Sequence, residues 1–515
     1  MKDIRVKRIA ALTLVFVLLA SVLAGCGNLS GNSAEAVGDT NEESVGSAAQ
    51  ESISGYEGIF EKDKVIDIKV EIAAEDWKSI LADPMAEEYK SAKVTVDGTT
   101  VENAGFRTKG NLTLRSVAGS ESERYSFRIK FDKYVDGQSL LGLDELVVNN
   151  MYSDASYMRE YLSYEALEEI GEAVPQAVFA NIYINDELYG FYLCVEAIDD
   201  SFLERSFGSS DGSLYKQEQG STLQYVEGSN YDASELKIGE DESKADLKNF
   251  IKLLNEMPEG EKGDIESVLD VDSALRYIAG NTVLGNYDSY SGNMAQNYYL
   301  YGQNGKFTVL PWDFNMSING FGGGGAAATI PIDEPVMGVN MEELPLIDKL
   351  LAVEEYKERY HGYVNELLEY LEGFEARVKA LGDTIRPYVE ADPSKFVTME
   401  QFEASIKYSE AAEVAEAASS SGQPQGIPAQ GGAPPSDGPG NGEKPEGERP
   451  QPQEGRTGGM RGGPGGNMGM MGNSSSIINF IRDRVENITK QLNGELPTTG
   501  NTTMNNPGGG FRPGQ

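Results

Sequence analysis

A long low-complexity segment near the carboxyl end limits what this chain can fold into. Residues 419–474 consist mostly of Gly, Pro, Gln, Ser and Glu, and then of Gly and Met. This composition cannot bury enough apolar surface to offset the entropy lost on folding. Apolar residues then recur at helical spacing on one stripe, at Ile477, Ile481, Val485, Ile488 and Leu492. The segment is therefore predicted to be an insertion, with a carboxyl-terminal helix over 475–494 that packs on the preceding domain and a disordered tail over 495–515.

The first residues predict export and lipid attachment. Four basic residues, Lys2, Arg5, Lys7 and Arg8, precede an apolar run over 9–22 and the sequence LAGC at 23–26. A short apolar core with these flanks indicates a signal peptide rather than a membrane span. The LAGC sequence resembles a bacterial lipobox, which implies cleavage after residue 25 and a lipid on the Cys26 thiol. An ordinary signal peptide, in which Cys26 has no role, is the alternative.

The expected product is a lipoprotein at the outer face of the bacterial cell membrane. Residues 26–58 are rich in Gly, Ser, Ala, Asn and Glu, which predicts a disordered tether between the lipid and the folded body. The localisation predicted from the sequence is therefore extracytoplasmic, with the membrane as a partner through the lipid.

Charge and residue counts exclude several classes of function. The formal net charge is −39, and nucleic acids are bound through basic patches, so no nucleic-acid partner is expected. Beyond Cys26 the only cysteine is Cys194, so an intrachain disulfide and a cysteine zinc site are excluded. Cys194 lies in the apolar sequence FYLCV and is predicted to be an inert core residue. The single histidine, His361, has no nucleophile motif that points to it.

The sequence pattern predicts an α+β protein. Residues 59–200 are β-rich, with strands at 65–72, 93–96, 126–131, 178–184 and 189–195, a short helix at 74–81 and an amphipathic helix at 154–171. Residues 201–418 are mostly helical, with helices at 245–255, 272–284, 342–391 and 398–418, and Asp272 is the expected N-cap of the second. A hairpin of two strands, 297–301 and 306–310, interrupts these helices.

Two aspartates flank that hairpin at a spacing typical of phosphoryl transfer. Asp288 is followed five residues later by Asn293, and the hairpin then leads to Asp313 in the sequence DFN. In protein kinases, a catalytic aspartate is followed five residues later by a metal-binding asparagine, and a hairpin then leads to the sequence DFG. Carboxylate and amide oxygens are also the ligands that Mg²⁺ prefers. The spacing therefore predicts a kinase-type site.

Seven segments occur in this order along the chain: FRTKGN (106–111), YSFRIKFDKY (125–134), REYLSYE (159–165), GFYLCVEAID (190–199), LYK (214–216), GNYDSY (285–290) and PWDFN (311–315). Together they resemble the CotH family of bacterial spore-coat and surface proteins, which are atypical kinases. The resemblance implies a bilobal atypical protein-kinase-like fold, with a β-rich N-lobe at 59–200 and a mostly helical C-lobe at 201–418. It also implies that ATP and Mg²⁺ or Mn²⁺ bind, and that Ser or Thr of a surface or spore-coat protein is phosphorylated.

The resemblance assigns roles to individual residues. Asp288 would be the catalytic base, with Asp313 and Asn293 as metal ligands. Lys130, which precedes the predicted helix at 154–171, would bind the phosphates, and Glu165 would hold it. Two further lysines are candidates for phosphate contact: Lys109 from a turn, and Lys216 as the alternative to Lys130. The backbone from Glu196 to Ile198 would contact adenine.

The sequence also departs from the kinase pattern. No glycine-rich loop precedes Lys130, and Asn315 replaces the final glycine of DFG. Two other functions therefore stay open. One is a non-catalytic surface or coat scaffold, or an adhesion lipoprotein, that retains the fold. The other is a hydrolase with the two aspartates as general acid and base.

Overall fold

The computed structural model describes residues 55–320, 326–410 and 476–505. The predicted signal peptide, Cys26, most of the tether and the segment 419–474 lie outside these residues. Tyr56 is fully buried, so the folded body begins slightly before the predicted end of the tether. The described chain contains both helices and sheets, as an α+β protein does. No helix in these ranges is long and apolar enough to cross a bilayer.

Seven strands of the amino-terminal half close into a barrel. They are β1 (Val65–Ile72), β2 (Lys90–Val96), β3 (Thr99–Lys109), β4 (Ser126–Lys130), β5 (Glu145–Asn149), β6 (Ala177–Ile184) and β7 (Glu187–Glu196). Their order is β1-β2-β3-β4-β5-β7-β6, and the parallel pairing of β6 with β1 completes the closure. Helices α1 (Ala74–Ala82) and α2 (Leu112–Ala118) lie in the β1–β2 and β3–β4 connections, and a third helix, described below, connects β5 to β6.

The barrel interior is filled by alternating side chains of its strands. Phe127 and Ile129 of β4 are fully buried, as expected from the alternation, and the Phe127 ring stacks on Phe106 at 4.7 Å. Cys194 is buried in the same core, which confirms its predicted position, and burial raises the pKa of its thiol. Residues on the outer face of β5, β6 and β7 belong to a second core, shared with the helices.

A four-stranded sheet and further helices make up the rest of the described chain. The sheet has the order β11-β10-β8-β9 and consists of β8 (Ser213–Gln217), β9 (Ser234–Ile238), β10 (Tyr298–Gln303) and β11 (Lys306–Pro311). The helices are α3 (Arg159–Glu169), α4 (Asp200–Phe207), α5 (Ala245–Asn255), α6 (Val271–Leu284), α7 (Pro345–Ala352), α8 (Glu354–Leu371), α9 (Phe374–Ala391), α10 (Met399–Ser405) and α11 (Ile477–Leu492).

Helix α3 differs most from its prediction. It begins at Arg159 rather than at residue 154, because the Asp154 carboxylate accepts the backbone N–H groups of Ser156 and Arg159 and so forms a turn before the helix. It is also buried on nearly all sides, including Arg159 and Glu160. The apolar residues of the predicted amphipathic helix (Met158, Leu162, Ala166 and Ile170) are buried as expected. Polar residues are buried with them, because this helix packs against both the barrel and the other helices.

Other helix boundaries also differ from those predicted from the sequence. The N-cap of α6 is Asp270, not Asp272, whose carboxylate instead accepts bonds from Arg359 and Tyr363. The predicted helix at 342–391 is divided into α7, α8 and α9. The helix at 245–255 and the strand at 65–72 are confirmed as predicted.

Candidate active site

Three elements bring a lysine, an asparagine and a glutamate into one hydrogen-bonded chain. Lys109 is the last residue of β3, Asn149 the last of β5, and Glu160 lies in the first turn of α3. Lys109 Nζ donates to Asn149 Oδ1 at 3.0 Å, and Asn149 Nδ2 donates to Glu160 Oε2 at 2.8 Å. The amide therefore links the lysine to the carboxylate and leaves other donor directions of the ammonium open.

Asp313 joins this chain through the tyrosine of the next helical turn. The backbone N–H of Asp313 donates to the Tyr164 hydroxyl at 3.2 Å, and that hydroxyl donates to Glu160 Oε1 at 3.2 Å. The Ser163 and Ser317 hydroxyls also lie 2.7 Å apart, within hydrogen-bond distance. Helix α3 therefore contacts this part of the chain at Asp313 and again four residues later, at Ser317. Asp313 has a φ of 57°, a left-handed conformation that costs about 1 kcal/mol outside glycine.

The electrostatics show that these groups share one poorly hydrated environment. Burial lowers the pKa of Lys109, and the negative charges of Asp313 and Glu160 offset only part of that effect. Burial also raises the pKa of Glu160, and the charge of Asp313 raises it further. Arg128 and Lys216 lie close enough to oppose the charge of Lys109. An anionic ligand with its own cation would therefore meet positive and negative groups here that are only partly compensated.

Asp288 lies on the loop that follows α6. The helix ends at Gly285, whose φ of 61° is the left-handed cap that turns the chain into this loop. Gln296 Nε2 donates to Asp288 Oδ1 at 2.7 Å, and Asn297 Nδ2 donates to the Asp288 carbonyl at 2.7 Å. Burial, and then the negative charge of Asp313, raise the pKa of Asp288 to about 7. The two aspartates thus interact, and Asp288 can exchange a proton near neutral pH.

The donor set fits a divalent cation bound together with phosphates. No group of three or more His, Cys, Asp or Glu side chains in the described ranges forms a metal-binding cluster. A nucleotide-bound Mg²⁺ needs fewer protein ligands, because phosphate oxygens supply several. Asn315, two residues after Asp313, has a buried Oδ1 with no hydrogen-bond partner in the described structure. Asp313 and this amide oxygen are the kind of hard ligand that Mg²⁺ or Mn²⁺ takes.

The predicted pair of Lys130 and Glu165 is wrong. Lys130 Nζ lies 3.1 Å from Asp132, and Glu165 Oε2 accepts the Arg377 Nε–H at 2.9 Å. Residues five apart on a helix point about 140° away from one another, so Glu165 cannot share the direction of Glu160. Lys109, which was expected in a turn, instead ends a strand, and its carboxylate neighbours are Asp313 and Glu160 rather than Glu165.

The remaining predicted residues lie around this cluster. Lys216 is on β8 and forms an ion pair with Glu218, and its positive charge also lowers the pKa of Lys109. Asn293 is exposed, with its side chain beside Gly338, while the amides bonded to Asp288 are those of Gln296 and Asn297.

The predicted adenine-binding stretch lies at the end of β7. The Glu196 carboxylate accepts hydrogen bonds from the Tyr56 hydroxyl and the Arg205 guanidinium. The backbone N–H of Glu196 donates to the Gln176 carbonyl at 2.8 Å. Ile198, two residues later, is buried.

Sequence reasoning missed four residues of the cluster. Asn149 follows the apolar sequence LVV, Glu160 and Tyr164 lie inside the segment REYLSYE, and Gln296 precedes a strand. The signal in the sequence was that segment itself, which holds five carboxylate or hydroxyl side chains within one predicted helix. Choosing Glu160 over Glu165 required knowing which side of the helix faces Asp313.

Comparison with known proteins agrees with the resemblance. The family model described as CotH kinase protein matches residues 106–413, more than half of the chain, and this range includes Lys109, Glu160, Asp288 and Asp313. The chain is also similar to the inner spore coat protein H of Bacillus subtilis (strain 168). The two are 28% identical over 305 residues, which cover 57% of this chain and 81% of that protein.

Proposed function

This chain belongs to the CotH family, and from that premise we propose that it is a protein kinase. It would transfer the γ-phosphoryl group of ATP to a Ser or Thr hydroxyl of a surface or spore-coat protein. The observation that carries the proposal is the meeting of Lys109, Glu160, Asp313 and Asp288, which come from a barrel strand, a buried helix and both sides of a hairpin. The barrel would serve as the N-lobe and the four-stranded sheet with its helices as the C-lobe.

Each side chain has a role that its surroundings support. Lys109 would bind phosphate oxygens, oriented by Asn149 and charge-balanced by Glu160. Asp313 and Asn315, with Asn293 as a further candidate, would hold Mg²⁺ or Mn²⁺, which when bound neutralises the phosphates and polarises the γ-phosphorus. The adenine ring would contact the backbone from Glu196 to Ile198, and Lys216 remains a second candidate for phosphate contact.

Asp288 would accept the proton of the attacking hydroxyl. As the hydroxyl oxygen bonds to the γ-phosphorus, the bond from that phosphorus to the bridging oxygen of ADP breaks, and the proton moves to an Asp288 oxygen. The Gln296 amide would keep the carboxylate oriented by its bond to Oδ1. Because the pKa of Asp288 is raised to about 7, the carboxylate is largely ionised only above neutral pH.

The predicted leader sequence and the relative support a proposal for the place of action. The relative named above is an inner spore coat protein. Together with the predicted signal peptide and Cys26, this supports an extracytoplasmic kinase held at the membrane surface by lipid, whose substrates are neighbouring surface or coat proteins.

The test measures phosphate transfer by the protein without its first 26 residues. With Mg²⁺ or Mn²⁺ and labelled ATP, we expect incorporation into the protein itself or into a Ser- and Thr-containing acceptor protein. Asp288→Ala and Asp313→Ala should each abolish it, whereas Asp211→Ala, at an exposed position, should not. Transfer that persists in both active-site variants would refute the proposal.

A second candidate is a coat scaffold that retains the fold, and the name of the relative favours it. The two functions differ in whether nucleotide binds. A ligand present at about 100 times its dissociation constant stabilises a protein by roughly 2.7 kcal/mol, so a kinase site should raise the melting temperature with Mg²⁺ and ATP. A scaffold without a site should show no rise, and Lys109→Met should make no difference to it.

A further inference from the structure

Helix α11 lies beyond the residues that the family model matches, yet it is part of the core beside Asp288. The match ends at residue 413, and α11 spans Ile477–Leu492. Its residues Ile477, Phe480, Ile481 and Ile488 are buried in the core shared by the helices and the four-stranded sheet. This helix therefore lies outside the matched range, and it packs next to the loop that carries Asp288.

Arg484 is the most unusual residue of this helix. Its side chain is fully buried, and no carboxylate in the described residues pairs with it. All four of its hydrogen bonds go to backbone carbonyls: Nε and Nη2 donate to Thr282 at 3.1 and 2.9 Å, and Nη1 donates to Ala328 at 3.2 Å and Ile330 at 2.7 Å. A buried cation without a counter-charge is costly, and an apolar side chain of similar size would avoid that cost. The guanidinium thus connects two backbone segments at the expense of stability.

The first of these segments leads directly into the Asp288 loop. Thr282 lies in the last turn of α6, six residues before Asp288. Phe480 packs against Gly285, where an added Cβ would lie 2.5 Å from the Phe480 ring. Helix α11 therefore holds the end of α6 at the point where the chain leaves it for the loop.

The second segment leads to the other end of the same loop. Gln491 Oε1 accepts the Ile332 N–H at 2.8 Å, and Asn501 Nδ2 donates to the carbonyls of Glu334 and Val336 at 2.7 and 2.6 Å. The next residue, Met337, donates its N–H to the Ser291 carbonyl at 2.9 Å. Hydrogen bonds thus run from the carboxyl-terminal residues, through 328–337, to the residues that follow Asp288.

We propose that residues 477–503 act as a clamp that positions Asp288, and that Arg484 is its main positioning residue. The clamp holds the loop 285–293 at both ends, through Thr282 on one side and Met337 on the other. Arg484 would not touch ATP or the acceptor hydroxyl. It would set the position of the Asp288 carboxylate, and an error of about 1 Å in such a position can reduce turnover roughly 100-fold. The clamp rests on the proposed function only in that Asp288 is taken as the base.

The main test compares Arg484→Met and Arg484→Lys with Leu254→Ala, which removes buried side-chain volume from α5. We expect Arg484→Met to lower kcat about tenfold or more and to change KM for ATP by less than about twofold, because Lys109 and Asp313 are held by β3 and α3. Arg484→Lys should restore part of kcat, since an ammonium can still donate to some of the carbonyls. Leu254→Ala should lower the melting temperature without this loss of kcat.

Hydrogen exchange provides a readout that does not depend on catalysis. In Arg484→Met the amides of 285–293 should exchange faster, while those of β3 and α3 should be unchanged. If Arg484→Met does not fold, Asn501→Ala should still increase exchange at 334–338 and 290–293. Unchanged exchange at 285–293 in the folded variants would overturn the clamp, even if the protein is a kinase. Faster exchange in a protein that transfers no phosphate would support the clamp and refute only the kinase assignment.

Discussion

Lys109 and Lys130 end neighbouring strands of the barrel, but the two regions around them are opposite in character. Strands β3 and β4 are antiparallel, so their last residues emerge at opposite ends of the barrel. At the Lys109 end, burial lowers the pKa of the lysine. At the Lys130 end, burial has the same tendency, but the bond to Asp132 and the nearby Glu145 and Asp199 outweigh it and raise the pKa of Lys130.

The difference teaches what makes a lysine suitable for binding phosphate. Lys130 already has a carboxylate in direct contact, so an incoming phosphate would have to compete for it. Lys109 contacts a neutral amide, and its nearest carboxylates belong to the candidate site. A lysine that is poorly hydrated and only partly compensated gains the most from an anionic ligand.

The largest expected effect comes from replacing each of the two lysines by methionine in turn. Lys109→Met should lower kcat/KM for ATP by roughly 100-fold to 1,000-fold, because it removes a buried positive group from the phosphates. Lys130→Met should leave kcat/KM within about twofold of the starting protein. Steady-state phosphate transfer measures both. A larger loss of kcat/KM in Lys130→Met than in Lys109→Met would contradict the choice of Lys109 over Lys130.

A smaller effect separates the two glutamates of α3. Above about pH 8, where the Glu160 carboxylate is largely ionised, Glu160→Gln should lower kcat about tenfold, since it keeps the hydrogen bond to Asn149 but removes the negative charge beside Lys109. Glu165→Gln should leave kcat unchanged and lower the free energy of unfolding by about 1 kcal/mol, because Arg377 loses a charged partner. Urea unfolding measures the change in stability, and steady-state kinetics measures the change in kcat. Equal kcat in the two variants would contradict the assignment of Glu160 to the site.

The smallest expected effect is a shift in pH dependence. Asp288 must be ionised to accept a proton, so kcat/KM should rise with pH and level off above about 7. The Gln296 hydrogen bond lowers the pKa of Asp288, so Gln296→Met should move this rise to higher pH, by about one unit. Asp132→Asn, at the opposite end of the barrel, should leave the profile where it is. A profile that Gln296→Met does not move would argue against Asp288 as the base.

Several parts of the fold follow from local pattern alone. The alternation in Val65–Ile72 and the helix Ala245–Asn255 were predictable because each buries one face of a regular element. The spacing of Asp288 and Asp313 around a hairpin is likewise local. Strands β3, β5, β8 and β9 were not predicted, and the last three are only five residues long, which leaves little alternation to recognise.

The partner of Lys109, the lysine proposed to bind phosphate, was not predictable in this way. Lys109 and Glu160 are 51 positions apart in sequence, and they meet only because β3, β5 and α3 converge at one end of a closed barrel. Periodicity marks a lysine as lying on a polar face, but it does not say which end of the strand faces the rest of the protein. Barrel closure through the parallel pair of β1 and β6 also has no local signal.

The amino-acid sequence by itself determined the family and predicted the class of chemistry and the limits of the folded body, because these depend on residue types at short spacing and on composition. The tertiary structure decided which lysine and glutamate belong to the candidate site, that Asp288 is poorly hydrated, and that a helix beyond the family match contacts the segments at both ends of the loop that carries Asp288. The physical reason is that burial and charge interactions act through space, between residues far apart in the chain, and strengthen where water is excluded.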